Sequence, residues 1–160
     1  MFRYFFTLLT LATLLEAACP LINVGLGLFD VSRAHPHAQF QCEYRFGYRY
    51  KGIGMPFVGV MATSKGSSYF FGGIAADLVT AKKLSVMPSF AIGIYNKGGG
   101  KNLYYPLEFR SSLECAYIFT NQSRLGIQFS HISNANLGRH NPGEESVVLS
   151  YSYPLRNFLA

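Results

Sequence analysis

The chain has 160 residues, of which 49% are hydrophobic, 16% aromatic and 14% charged, with a formal net charge of +6. That length supports one core, and no Pro/Gly/Ser-rich linker divides it, so a single domain is expected. Three scattered cysteines exclude a disulfide scaffold, no Cys/His spacing marks a metal site, and dispersed basic residues argue against nucleic acid as a partner.

The first twenty residues, "MFRYFFTLLTLATLLEAACP", carry one early charge at Arg3, an apolar run from Phe5 to Leu15, and small residues at Ala17 and Ala18. This pattern predicts an export signal over 1–18 and a body over 19–160. A membrane-spanning helix is the rival reading, but the run falls short of the roughly 20 apolar residues a span needs, and Pro20 follows directly. Cys19 raises lipid attachment, although Glu16 stands where such signals usually carry Leu.

Beyond the signal, period-two alternation recurs and helical periodicity does not, as eleven Tyr, fourteen Phe and sixteen Gly would suggest. Eight strands are predicted, near 21–30, 38–50, 55–63, 68–79, 82–95, 105–119, 123–133 and 144–155. In "AQFQCEYRFGYRY", Phe40, Cys42, Tyr44, Phe46 and Tyr48 alternate with Gln39, Gln41, Glu43, Arg45 and Arg49. The links near 31–37, 96–104 and 134–143 are long and those near 51–54, 80–81 and 120–122 short, with 64–67 breaking the pattern. An even strand count with that asymmetry predicts an all-β, eight-stranded, antiparallel up-and-down transmembrane barrel of the outer-membrane type. Opposite charges at Glu43, Arg45, Glu108, Arg110 and Glu114 would neutralise one another in its narrow lumen. A soluble barrel would carry the reverse polarity. Tyr48, Tyr50, Tyr95, Tyr104, Tyr105, Tyr151 and Tyr153 lie near strand ends, where an aromatic belt is expected.

Polar chemistry gathers in "SHISNANLGRHNPGEES", residues 130–146. Side chains alternate across a strand, so Leu125, Ile127, Phe129, His131 and Ser133 share one face. On the last strand Glu145 shares a face with Val147, Leu149 and Tyr151, whereas Glu144 goes with Ser146 and Ser150. Parity therefore selects Glu145 and aims Ser133, His131 and Glu145 toward lipid. A hydrolytic triad follows, with Ser133 as nucleophile, His131 as base, Glu145 as its orienting acid and Asn134 as an oxyanion donor. Chance alignment of rim residues that merely face headgroups stays open on spacing and parity alone.

The stretch "HISNANLGRHNPGEES" resembles the active-site segment of the lipid A 3-O-deacylases, the PagL family of eight-stranded outer-membrane barrels. The motif falls on His131, Ser133, Asn134 and Glu145, with Ser146 after the acid. Two departures stand out: Asn136 occupies a position where a small residue such as Gly is expected, and the chain ends "RNFLA" rather than on an aromatic residue.

The resemblance implies a bacterial outer-membrane esterase that removes the ester-linked 3-hydroxyacyl chain at position 3 of lipid A in lipopolysaccharide. No metal or organic cofactor is implied, and a homodimer is left open. The alternative is a non-catalytic barrel with a structural or adhesion role. Arg139, His140, Lys97 and Lys101 are candidates for lipid A phosphates, although each reads more readily as a solvated loop residue. His35 and His37 fall in an expected loop, and Cys42 and Cys115 face lipid on strands too far apart for a disulfide.

Overall fold

The computed structural model describes residues 15–33, 36–50, 54–80 and 83–155. Most of the expected leader (1–14), His35 and the terminal "RNFLA" lie outside the described residues. The strands are β1 (Leu15–Ala17), β2 (Leu21–Phe29), β3 (His37–Arg45), β4 (Tyr48–Tyr50), β5 (Gly54–Thr63), β6 (Ser68–Ala76), β7 (Leu78–Thr80), β8 (Leu84–Asn96), β9 (Leu107–Ile118), β10 (Arg124–Ser133) and β11 (Glu144–Pro154). Every pairing is antiparallel. The ring runs β5, β3, β2, β11, β10, β9, β8, β6 and closes through β5–β6, giving the eight-stranded barrel expected from the sequence.

Two staves are interrupted. The second breaks at Phe46 and Gly47 before resuming as β4, where the Phe46 N–H donates to Pro56 O and the Gly47 carbonyl accepts from Ala18 N–H. The fourth breaks at Asp77 before β7. β1, which overlaps the expected signal, pairs only with β4 among the described strands, so its loss would leave the closed ring intact. His37 opens β3, opposite Phe29, rather than lying in the preceding loop.

Alternation is inverted relative to a water-soluble protein. Leu26, Leu28, Phe70, Phe90, Ile92, Ile127, Phe129 and Leu149 are exposed on the outer wall, while Glu43, Arg45, Glu108, Arg110, Glu114, Gln41 and Gln128 are buried in the lumen. Buried charges are tolerated only when paired. Arg45 donates to Glu43 and Glu114 at 3.0 and 2.7 Å, and Arg110 donates to Glu43 at 3.0 Å and to Gln128 at 2.7 Å. Two guanidinium groups and two carboxylates thus neutralise one another, but the expected neutralisation does not extend to Glu108, whose buried carboxylate oxygens have no hydrogen-bond partner among the described residues. Across the lumen, Met55, Phe57, Met61, Tyr69, Phe71 and Met87 fill the β5–β6–β8 side, and Arg110 sits 4.7 Å from the Phe71 ring centre. No helix among the described residues is long and apolar enough to cross a membrane; the strands do the crossing.

The loop over 97–106 folds across the barrel mouth. Leu103 is buried in it, Lys101 pairs with Asp30, and the Lys101 carbonyl accepts from Tyr95 Oη at 2.9 Å. Tyr95 therefore lies in the lumen, stacked on Phe29, and is no part of an aromatic belt. Lys101 is likewise spent on Asp30 rather than offered to a phosphate. Tyr48, Tyr50, Tyr104, Tyr105, Tyr151 and Tyr153 remain on the outer surface.

Candidate active site

The register of β9, β10 and β11 arranges the outer wall in rows. From the long-loop end the first row is Phe109 and Ser133; the second is Ser111, His131 and Glu145; below them come Leu113–Phe129–Val147, Cys115–Ile127–Leu149 and Tyr117–Leu125–Tyr151. Successive rows on one face lie about 6.8 Å apart, two strand residues. Two polar rows thus cap three apolar ones, at the level where hydrocarbon gives way to headgroups.

His131 and Glu145 stand directly opposite each other, and His131 Nδ1 lies 3.0 Å from Glu145 Oε1. Both side chains are open to the outside, at 44% and 31% exposure. Glu144 points the other way: it is fully buried in the lumen, where its carboxylate accepts from Ser146 Oγ at 2.9 Å and from the Asp30 N–H. Ser133 lies two residues beyond His131 on the same face and is partly exposed. Its hydroxyl has no hydrogen-bond partner among the described residues. A catalytic Ser–His contact is often unmade until substrate binds.

Gly143 leaves room for the imidazole. The β10–β11 ladder ends at Ile132 opposite Glu144, and Gly143 lies just before it at φ 58°, beside the His131 ring. A Cβ built there would lie 2.7 Å from His131 Cε1 and 3.3 Å from Nε2. The ring therefore fills the space that any other side chain would take. With Nδ1 turned to Glu145, Nε2 is the nitrogen left for proton transfer.

Asn134 does not present the free donor expected of it. It is fully buried; its amide nitrogen donates to Leu103 O at 2.9 Å and to His140 O at 2.8 Å, and its own N–H donates to Asn141 Oδ1 at 3.0 Å. It ties the 97–106 and 134–143 loops together. The turn that follows closes with Leu137 N–H on Asn134 O at 2.9 Å and puts Ala135 and Asn136 at φ 50° and 64°. Such a turn favours Gly or Asn, so Asn136 fits where Gly was expected. Ala135 is strained there. Among the described residues neither the Ala135 nor the Asn136 N–H is hydrogen-bonded.

Arg139, His140 and Lys97 are exposed on the loops above, with the His140 ring 5.0 Å from that of Tyr104. Cys42 and Cys115 face outward as free thiols. Among the described residues no cluster of His, Cys, Asp or Glu is arranged to hold a metal ion. Ser111 escaped the sequence reading: it is an outward-facing serine whose significance lies in being level with His131, which only the register reveals.

The family model for lipid A 3-O-deacylase (PagL) matches residues 34–154, well over half of the sequence. The chain belongs to the lipid A 3-O-deacylase (PagL) family. A lipid A deacylase PagL of Bordetella bronchiseptica is 32% identical over 53 residues, which cover 33% of this chain and 30% of that protein. The match thus spans about a third of the relative's length. The crystal structure of the outer membrane enzyme PagL superposes with a TM-score of 0.66 at 17% identity, covering 84% of this chain and 99% of that one. A de novo designed transmembrane β-barrel superposes at 0.64 with 9% identity, over 86% and 96% of the two chains. This family member is an outer-membrane β-barrel, and the end carrying the 97–106 and 134–143 loops is taken as the outer one.

Proposed function

We propose that this chain hydrolyses the ester-linked 3-hydroxyacyl chain at position 3 of lipid A, in the outer leaflet, with Ser133, His131 and Glu145 as its triad. The observation that carries the reading is the His131–Glu145 pair, 3.0 Å apart and opening sideways into lipid instead of into the lumen. A lipid can reach such a site without leaving the membrane.

Ser133 Oγ attacks the ester carbonyl while His131 Nε2 takes its proton, and the Nδ1–H bonded to Glu145 steadies the resulting imidazolium. The unbonded N–H groups of Ala135 and Asn136, two and three residues past the nucleophile, are the donors we assign to the oxyanion. One such donor supplies about 3 kcal/mol of transition-state stabilisation. The tetrahedral intermediate collapses as the acyl–oxygen bond to the sugar breaks, and His131 returns the proton to the departing sugar hydroxyl. Water, deprotonated by the same histidine, then releases the free 3-hydroxy acid and restores Ser133.

The test is mass spectrometry of lipid A from cells making wild-type, Ser133→Ala or His131→Ala protein. Wild type should remove the mass of one hydroxy fatty acid, while either variant should lose several orders of magnitude of activity yet keep the heat-modifiable mobility of a folded barrel. Full activity in the Ser133 variant excludes the mechanism. Unaltered lipid A with wild type favours the structural or adhesion role.

A further inference from the structure

The outward row of β9 reads Leu107, Phe109, Ser111, Leu113, Cys115, Tyr117, so Ser111 places a hydroxyl on a wall that is otherwise apolar or aromatic. It is exposed, and its hydroxyl has no hydrogen-bond partner among the described residues. A hydroxyl at the edge of the hydrocarbon without a protein partner is less favourable than a Val, Leu or Ala there would be. Its place is informative. Ser111 is in register with His131 on the side away from Glu145, and one row below Ser133.

We infer that Ser111 recognises the 3-hydroxyl of the acyl chain being removed, an inference that rests on the function proposed above. With the ester carbonyl at Ser133, the acyl chain must descend from the polar rows toward Leu113, Phe129 and Val147. Its third carbon, two along from the carbonyl carbon, then passes the row that holds Ser111. Diagonal neighbours on adjacent strands have backbones about 7–8 Å apart, which leaves space between Ser133 and Ser111 for that short piece of chain. On the far side of Ser111, the Phe90 and Phe109 rings stack with centres 6.0 Å apart and limit how far the chain can drift toward β8. Ser111 Oγ and the substrate hydroxyl satisfy each other at the edge of the hydrocarbon, and a chain lacking the hydroxyl leaves Ser111 unpaired.

The experiment uses the full-length protein in detergent micelles and two synthetic glucosamine 3-O-esters of equal chain length, one 3-hydroxyacyl and one plain acyl. Wild type should prefer the hydroxylated ester in kcat/KM, Ser111→Ala should reduce that preference about tenfold, and Ser111→Thr should restore most of it. If Ser111→Ala leaves the preference unchanged, or lowers both esters alike, the inference is overturned. Loss of all hydrolysis in Ser111→Ala, matching Ser133→Ala, would instead make Ser111 catalytic and equally refute it. Wild-type protein inert toward both esters would refute the esterase reading and this inference with it, an outcome distinct from the others.

Discussion

Replacing Gly143 with alanine tests whether the missing side chain beside His131 sets the reactive geometry. The added Cβ would meet His131 Cε1 at 2.7 Å, so the imidazole, the movable partner, must retreat by about 0.7 Å to reach the ordinary contact limit of 3.4 Å. A displacement approaching 1 Å between reacting groups costs up to about 100-fold in rate, so kcat should fall between about 10- and 100-fold while KM stays near wild type. Gly143 also sits at φ 58°, where alanine costs about 1–2 kcal/mol in stability. Gly66 separates the two effects: at φ 79° it carries the same conformational penalty, with nothing within 4 Å of a built Cβ. Gly66→Ala should therefore lose stability but keep its kcat. Steady-state kinetics on micellar lipid A, with thermal unfolding followed by gel mobility, measures both. A Gly143→Ala protein with wild-type kcat, or a Gly66→Ala protein equally impaired, refutes the argument.

Glu145→Gln should lower kcat by at least about 100-fold, because the amide cannot stabilise the imidazolium, whereas Glu144→Gln, altering a lumen group, should stay within a few-fold; equal losses would show that the two faces of β11 have been assigned the wrong way round. Asn134→Ala leaves the Leu103 and His140 carbonyls without their donor. It should cost about 1–3 kcal/mol and speed protease cleavage within 97–106 and 134–143, with unchanged cleavage counting against the clamp.

The eight staves were legible because membrane strands advertise themselves twice, through greasy residues on one face and charges on the other. Glu43, Arg45, Arg110 and Glu114 could be sent to the lumen from parity alone. The interruptions at Phe46–Gly47 and Asp77 were not legible, since each depends on what other strands offer: the Pro56 carbonyl in one case, and Arg49 and Arg124 gripping the Asp77 carboxylate from across the lumen in the other. Within the candidate site, parity assigned side chains to faces but said nothing about how strands slide past one another. The level of Ser111 with His131 is a property of register between neighbouring strands, and the contact of Gly143 with the His131 ring a property of the loop that enters β11. The partners of Asn134 and Lys101 were hidden for a related reason. Their polar groups are consumed by loop carbonyls and by Asp30, partners that a local pattern cannot see.

The stacking of two polar rows above three apolar ones gives the proposed enzyme a built-in depth gauge. A lipid held by its sugar at the outer rim brings only its uppermost ester bonds level with Ser133. An ester further down an acyl branch lies beside Leu113, Phe129 and Val147 and meets no reactive group. Which bond is cut would then be decided by how far each lies beneath the surface, with the membrane itself serving as half of the binding pocket.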